Sequence, residues 1–386
     1  MTTASASRWR GHSASILAWA IVLVGFVVGY VSMVRTRPLY APDSAHYLAK
    51  AFWFLGASPQ EAHDRVAAFA AGYGITEIPG VERMFEWGLV QPRVVLSAIA
   101  TPFVAAFGPI GLAVTTAFIS LALIIVLTVL LMRRVGNVPA VAVMLMVTTS
   151  AYLVFYNGAM LTESLSALLT ALTLMAAWRY IRQPRAWLLV VMGALTVTSA
   201  FTRQATLIVA GAFLGAWLFG MLVSRSWRSP WMWPAVVVTG ASLGSQVLQA
   251  ILFPSFSQAD QFIKQTGAET LGGAILAIPR MALKILATDV YNYLANDPVL
   301  LVFILVSLAG IVLFWRRSEA HLLVGAILAI SLYNITNGTP TAFRYAIPGL
   351  VFYVAMVGIV IRSVAKPQRG SQEVDLSEQR GAYVAG

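Results

Sequence analysis

Ten uninterrupted apolar runs divide this chain, near residues 16–34, 110–132, 138–155, 162–181, 186–202, 205–223, 231–252, 298–315, 319–335 and 345–363. A bilayer core is about 30 Å thick and an α-helix rises about 1.5 Å per residue, so apolar runs of roughly 17–25 residues are read as spans. Composition agrees, with 59% of the 386 residues hydrophobic and 11% charged, against roughly 45–50% and 25% in soluble domains. A water-soluble fold is excluded. A nucleic-acid-binding surface is excluded too, because too few charges remain to track a phosphate backbone. The expectation is an all-α polytopic membrane protein of about ten transmembrane helices, with further helices in its outer loops.

The charges orient these spans. Arg8 and Arg10 precede the first run, which at about 28 Å as helix is long enough to be an uncleaved first span rather than a cleaved leader. An eleventh apolar piece, residues 94–107, is too short to cross and is expected to be a re-entrant or surface-lying helix. With that piece not crossing, the inner side carries 15 of the 26 basic residues and four of the 15 acids, and the outer side eleven of each. The inner group includes Arg133, Arg134, Arg179, Arg182, Arg225, Arg228, Arg316 and Arg317. If residues 94–107 crossed, all of these would move outside, against the positive-inside bias. Both termini are therefore expected inside. The chain reads as one transmembrane domain, residues 16–363, between inner segments 1–15 and 364–386, with long outer loops at 35–109 and 253–297. Both loops carry helical patterning, as at 59–71 and 272–286. Irregular backbone near a membrane has to pack on protein or line a wet cavity, which places the working site in the outer cleft that the loops cover.

Four polar clusters fall at the outer ends of spans. The first is Pro42-Asp43-Ser44-Ala45-His46-Tyr47, just past the first span. Asp43 is placed either to cap a helix running from Ser44 to Phe54 or to act as a general base at the membrane boundary, with His46 one turn on along the same face. The second is Tyr156 to Glu163, where an acid opens a span; Glu163 suits a helix N-terminus, or a polar cavity. In the third and fourth, Arg203 and Arg344 lie on the side that the positive-inside bias does not favour. Each is either a snorkelling interfacial arginine or the partner of an anion. The chain has no cysteine, hence no disulfide or thiolate metal site, and no phosphate-binding glycine loop or paired-histidine metal spacing.

In their order these clusters resemble those of the GT-C superfamily of integral membrane glycosyltransferases, which includes protein O-mannosyltransferases and the lipid A aminoarabinose transferase. The early outer acid is Asp43, and Gln91-Pro92-Arg93 through Phe107-Gly108 to Arg133-Arg134 is similar to the family's "PPL…lfG…rr" region. Met160-Leu161-Thr162-Glu163 resembles its outer "lTD/E" turn, and Arg344-Tyr345-Ala346-Ile347-Pro348 its "RY..P" start of a late span. Gln91 stands where the family often has a second proline, and Asp43 stands alone where it often has two adjacent acids. The resemblance implies a GT-C-like fold in a bacterial inner (plasma) membrane, with cytoplasmic termini and an active site on the outer face. It implies a polyprenyl-phosphate sugar donor and a hydroxyl acceptor on a glycan, lipid or protein. Asp43 would be catalytic, with His46, Tyr47, Arg93, Glu163, Arg203, Arg344 and Tyr345 binding substrate. No metal ligand is assigned, and a role for a divalent metal stays open.

Two other classes are compatible with a chain of this kind. A lipid-linked substrate transporter or flippase would want charges or broken helices at mid-membrane, whereas the charges here sit at span ends and the spans read as continuous. A non-catalytic assembly subunit would account for the long outer loops, though not for four ionisable clusters on one face.

Overall fold

The computed structural model describes residues 3–254 and 257–365. All regular structure among them is helical. The tail charges assigned to the inner side (Lys366, Arg369, Arg380, Glu373, Asp375 and Glu378) lie outside the described residues.

Helix α1 (Thr3–Thr36) stands at the periphery with Val24, Val27 and Val28 exposed. The first long loop folds into α2 (Ser44–Phe54), α3 (Pro59–Ala71), α4 (Val81–Phe85) and α5 (Val95–Phe107). Helices α6 (Gly111–Val135), α7 (Asn137–Thr149), α8 (Ala151–Gly158), α9 (Glu163–Arg182), α10 (Ala186–Ala200), α11 (Thr206–Ser224) and α12 (Met232–Leu252) follow. The second long loop contributes α13 (Gln258–Thr266), α14 (Leu271–Leu276) and α15 (Ile278–Asn296). Helices α16 (Pro298–Leu313), α17 (Ser318–Asn337) and α18 (Leu350–Ala365) complete the described chain. A 3-10 turn, Arg344–Gly349, leads into α18, which is buried from Leu350 to Ile359.

Seven helical stretches are long and apolar enough to cross a membrane, eight if the bent pair α7–α8 counts as one. The protein is a multi-pass helical membrane protein. Two more of the expected runs form shorter apolar helices, α10 and α16, about 22–24 Å long. The expected span at 138–155 is not continuous: α7 and α8 meet at 75°. The break is built at Ser150, whose hydroxyl accepts from the Leu153 N–H (3.2 Å) and donates to the Asp297 carboxylate (2.7 Å). Asp297 also accepts from the N–H groups of Tyr152 (2.8 Å) and Leu300 (3.0 Å), capping α8 and α16 together.

The short apolar piece at 94–107 is α5, and it does not run on into α6. Gly108 has φ +63°, a conformation reserved largely for glycine. The chain reverses there so sharply that a Cβ on Gly111 would lie 2.3 Å from the Phe103 backbone. Ser97 Oγ then donates to the Tyr47 carbonyl (2.9 Å), tying α5 to α2. Helices α11 and α17 cross closely, so that a Cβ on Gly325 would stand 2.1 Å from the Gly211 carbonyl oxygen. Small residues permit this backbone approach, which dispersion then stabilises where no hydrophobic force acts between helices.

Candidate functional site

The sequence between α1 and α2 is pinned from both sides. Ser44 Oγ accepts from the Ala41 N–H (2.9 Å) and donates to the Met160 carbonyl (2.9 Å), while the Met160 N–H donates to the Leu39 carbonyl (3.0 Å). This lacing sets Asp43 beside the start of α9. Asp43 does not cap α2 with its side chain. Its carboxylate instead accepts from Arg344 Nη2 at 2.5 Å, across 301 residues.

Arg344 bridges two acids, since its Nε donates to Glu163 Oε1. Glu163 is fully buried and takes a second cation, Arg203, whose Nη1 stands 2.7 Å from the same Oε1. That contact is an ion pair without hydrogen-bond geometry, and Arg203 Nε has no partner among the described residues. Arg203 is 2% exposed and lies over the Tyr345 ring, 5.2 Å from its centroid. Tyr345 packs edge-on against Tyr333 at 5.0 Å.

Arg93 enters from the turn before α5. The N–H groups of Val94 and Val95 donate to the Phe201 carbonyl, two residues before Arg203, so the two arginines are held by one backbone junction. Arg93 Nη1 donates to the Tyr47 hydroxyl (3.3 Å), which lies 3.4 Å from Thr162 Oγ1. Arg93 Nε, also buried, has no partner among the described residues. Three arginines thus face two carboxylates, leaving one net positive charge and unpaired guanidinium N–H groups in a buried place. Such donors are costly to leave unmade.

Burial alone would raise the Asp43 carboxyl, but Arg344 and then Arg93 outweigh it and hold it below the usual carboxylate range. Burial pushes His46 down to about 4 against the opposing pull of Asp43, so this ring is neutral. The His46 ring makes no hydrogen bond to the ion cluster among the described residues. Its Nδ1 lies 3.5 Å from the Met84 carbonyl and its ring 5.9 Å from Trp87. Trp87 in turn lines an outer cavity of about 640 Å³ between α4 and α13, together with Glu82, Arg83, Lys264 and Gln265. Residues of both long loops thus line this cavity.

Two residues of this region carry weaker signals in the sequence. Lys50, a single charge on the otherwise apolar α2, buries its Nζ against the carbonyls of Val90 (2.5 Å) and Gln91 (3.0 Å). Burial, with Arg93 nearby, lowers it to about 7. Asp289 on α15 accepts from the Ala342 N–H (2.9 Å). Ala342 and Phe343 both have left-handed φ, +47° and +73°, which costs on the order of 1–3 kcal/mol each for residues of this kind. The Tyr156 hydroxyl donates to the Thr341 carbonyl (3.1 Å) beside them. The backbone is thus held in a strained turn immediately ahead of Arg344, and strain over-determined in this way marks a place where one side chain's direction matters.

Among the described residues no group of three or more His, Asp or Glu side chains could hold a metal ion. The two carboxylates do not form a paired donor set, because Arg344 occupies the space between them. The arrangement does not fit a metal. Comparison with family models, curated proteins and solved structures finds no match to this chain.

Proposed function

We propose that the protein is a GT-C-like membrane glycosyltransferase that moves a sugar from a polyprenyl-phosphate donor to an acceptor hydroxyl at the outer end of its spans. The observation that carries this reading is the cluster of Arg93, Arg203 and Arg344 with Asp43 and Glu163, in which Arg93, Arg203 and Glu163 are buried while Asp43 and Arg344 are partly open, cationic by one charge and holding unpaired N–H donors. Such a cluster suits a group that gathers negative charge as it leaves. In the reaction the acceptor oxygen bonds to the anomeric carbon and the carbon–oxygen bond to the lipid phosphate breaks. The hydroxyl proton passes to Asp43, and the freed phosphate dianion is met by the arginines. Arg344 keeps Asp43 ionised and able to accept a proton.

An apolar groove of about 440 Å³ supports the lipid half of this reading. It runs between α1 and α6, lined by Phe26, Tyr30, Ile110, Phe118 and Leu121, and reaches Leu39, four residues before Asp43. The aromatics Tyr152, Phe155 and Tyr156 pack on one another and under Arg37. The outer cavity beside Trp87 would admit the acceptor.

The reading takes α7–α8 as one bent span and α10 and α16 as short spans, for ten crossings, with the basic inner ends facing the cytoplasm of a bacterial inner membrane. Gln60→Cys, in α3, is expected to label with an impermeant reagent from outside, and Ser226→Cys only after permeabilisation; the reverse pattern inverts the topology. The break at Ser150 gives the transporter alternative one feature in its favour. Mass spectrometry of the purified protein separates the two readings when combined with turnover. Co-purifying polyprenyl phosphate together with sugar release from donor is expected. Donor bound or moved across vesicles without any bond cleavage would select the transporter.

A further inference from the structure

A second cationic cavity lies at the far end of the same helices. Glu163 opens α9 and Arg182 closes it, so the two ends are about 30 Å apart. There the C-terminal ends of α6 and α9 meet the N-terminal ends of α12 and α17. They enclose about 220 Å³ lined by Arg133, Arg134, Trp178, Arg182, Trp231 and Ser318.

The charges in this cavity do not cancel. Arg134 is paired with the buried Glu319, its Nε donating at 3.0 Å, and lies over the Trp178 ring at 4.8 Å. Arg362 Nη1 donates to the Arg134 carbonyl (2.7 Å), which fixes the backbone here. Glu319 is thereby used up, and neither Arg133 nor Arg182 has an acidic partner among the described residues. Trp178 Nε1, a group that can only donate, is buried and also has no partner among them. Two guanidinium groups without an acidic partner, that of Arg182 donating only through its Nε to the Trp178 carbonyl (3.2 Å), and an orphaned N–H around one cavity at the polar end of a span match the oxygens of a phosphate. Aliphatic side chains of the same helices, Met175 and Ile181 among them, continue the lining.

We infer that this cavity is a binding site for the headgroup of an anionic phospholipid, separate from the Asp43 cluster and independent of the function proposed for it. The phosphate is held by Arg133, Arg182 and Trp178 Nε1, with the acyl chains laid along α6 and α9. Basic pockets between spans take anionic headgroups for this reason.

The test is native mass spectrometry of the detergent-purified full chain titrated with phosphatidylglycerol and, separately, phosphatidylcholine. One phosphatidylglycerol per protein is expected to bind at least about tenfold more tightly than phosphatidylcholine. The Arg133→Gln/Arg182→Gln double variant, which breaks no ion pair and alters exposed side chains, should lose this preference. Trp178→Phe keeps the ring under Arg134 and should weaken binding about fivefold, as for one lost hydrogen bond. Retention of the lipid against excess inorganic phosphate supports the headgroup assignment. Displacement by inorganic phosphate, equal binding of the two lipids, or unchanged binding in the double variant would overturn it.

Discussion

Glu163 and Glu319 open α9 and α17 at opposite ends of the helix bundle, and both are buried carboxylates paired with arginine. Their surroundings differ. Glu319 has one partner, Arg134, whose side chain is 44% exposed and can turn to water when the acid is removed. Glu163 has two, one of them Arg203, which has no exposed direction to turn. A single pair with a half-exposed arginine closes its own charge and needs nothing else. A buried cluster with more cations than acids, a strained turn ahead of Arg344 and unpaired N–H groups is incomplete by itself. The difference separates an ion pair that is closed in itself from a cluster that keeps unpaired N–H donors.

The comparison breaks most readily on stability. Glu163→Gln leaves Arg203 as an uncompensated buried charge, and removing one partner of a buried pair costs about 3–5 kcal/mol. Glu319→Gln should cost clearly less, because Arg134 is re-solvated rather than stranded. Thermal melts of the two variants in one detergent check this ordering. Equal losses would mean that Arg203 finds water or another acid, and that the two regions are alike.

Activity sharpens it next. Arg203→Lys keeps the charge but loses the planar fork that the Tyr345 ring and Glu163 hold. Sugar release from a polyprenyl-phosphate donor should fall by about 10²–10³-fold, the range for removing one preorganised donor. Asp43→Asn should lower turnover by about 10²–10⁴-fold if the carboxylate takes the acceptor proton. The Asp43 side chain makes no cap bond to α2 and is 36% exposed. Asn and Ala at this position should therefore melt within about 1 kcal/mol of each other, whereas a helix cap would have separated them. Full turnover in Asp43→Asn would move the base elsewhere in the outer cleft.

Much of this architecture is legible before any coordinates. The helix from Ser44 to Phe54 and that at 59–71 follow from proline placement and local pattern, and they appear with those bounds. The clusters around Asp43, Glu163, Arg203 and Arg344 stand out because each puts an ionisable group at the outer end of an apolar run. What the local pattern does not show is that they pair with one another, since the partners are up to 301 residues apart. For the same reason the bend at Ser150 is invisible: Asp297, which builds it, is 147 residues away. Asp289 reads as one more polar residue of a solvated loop, and only the left-handed backbone at Ala342 shows what it holds.

Lys50 supplies the smallest expected effect and the one most specific to the outer end. Its folded-state value of about 7 lies below the ordinary 10.5, because burial and then Arg93 disfavour its charged form. Between these two values the unfolded chain holds a proton that the folded chain has released, so stability must rise with pH across that window and level off above it. Lowering the pH through 7 charges Lys50 in the fold as well, and the dependence ends there. Asp43, held below the usual carboxylate range, adds nothing in this window; its contribution is lost only as acid protonates it below that range. Lys50→Met removes the titrating group along with its bonds to Val90 and Gln91. The variant should therefore melt lower overall but show a flatter rise from pH 7 to 10 than the parent, measured as melting temperature against pH in one detergent. An equally steep rise in Lys50→Met would assign the titration to another group and leave Lys50 charged against the two carbonyls throughout.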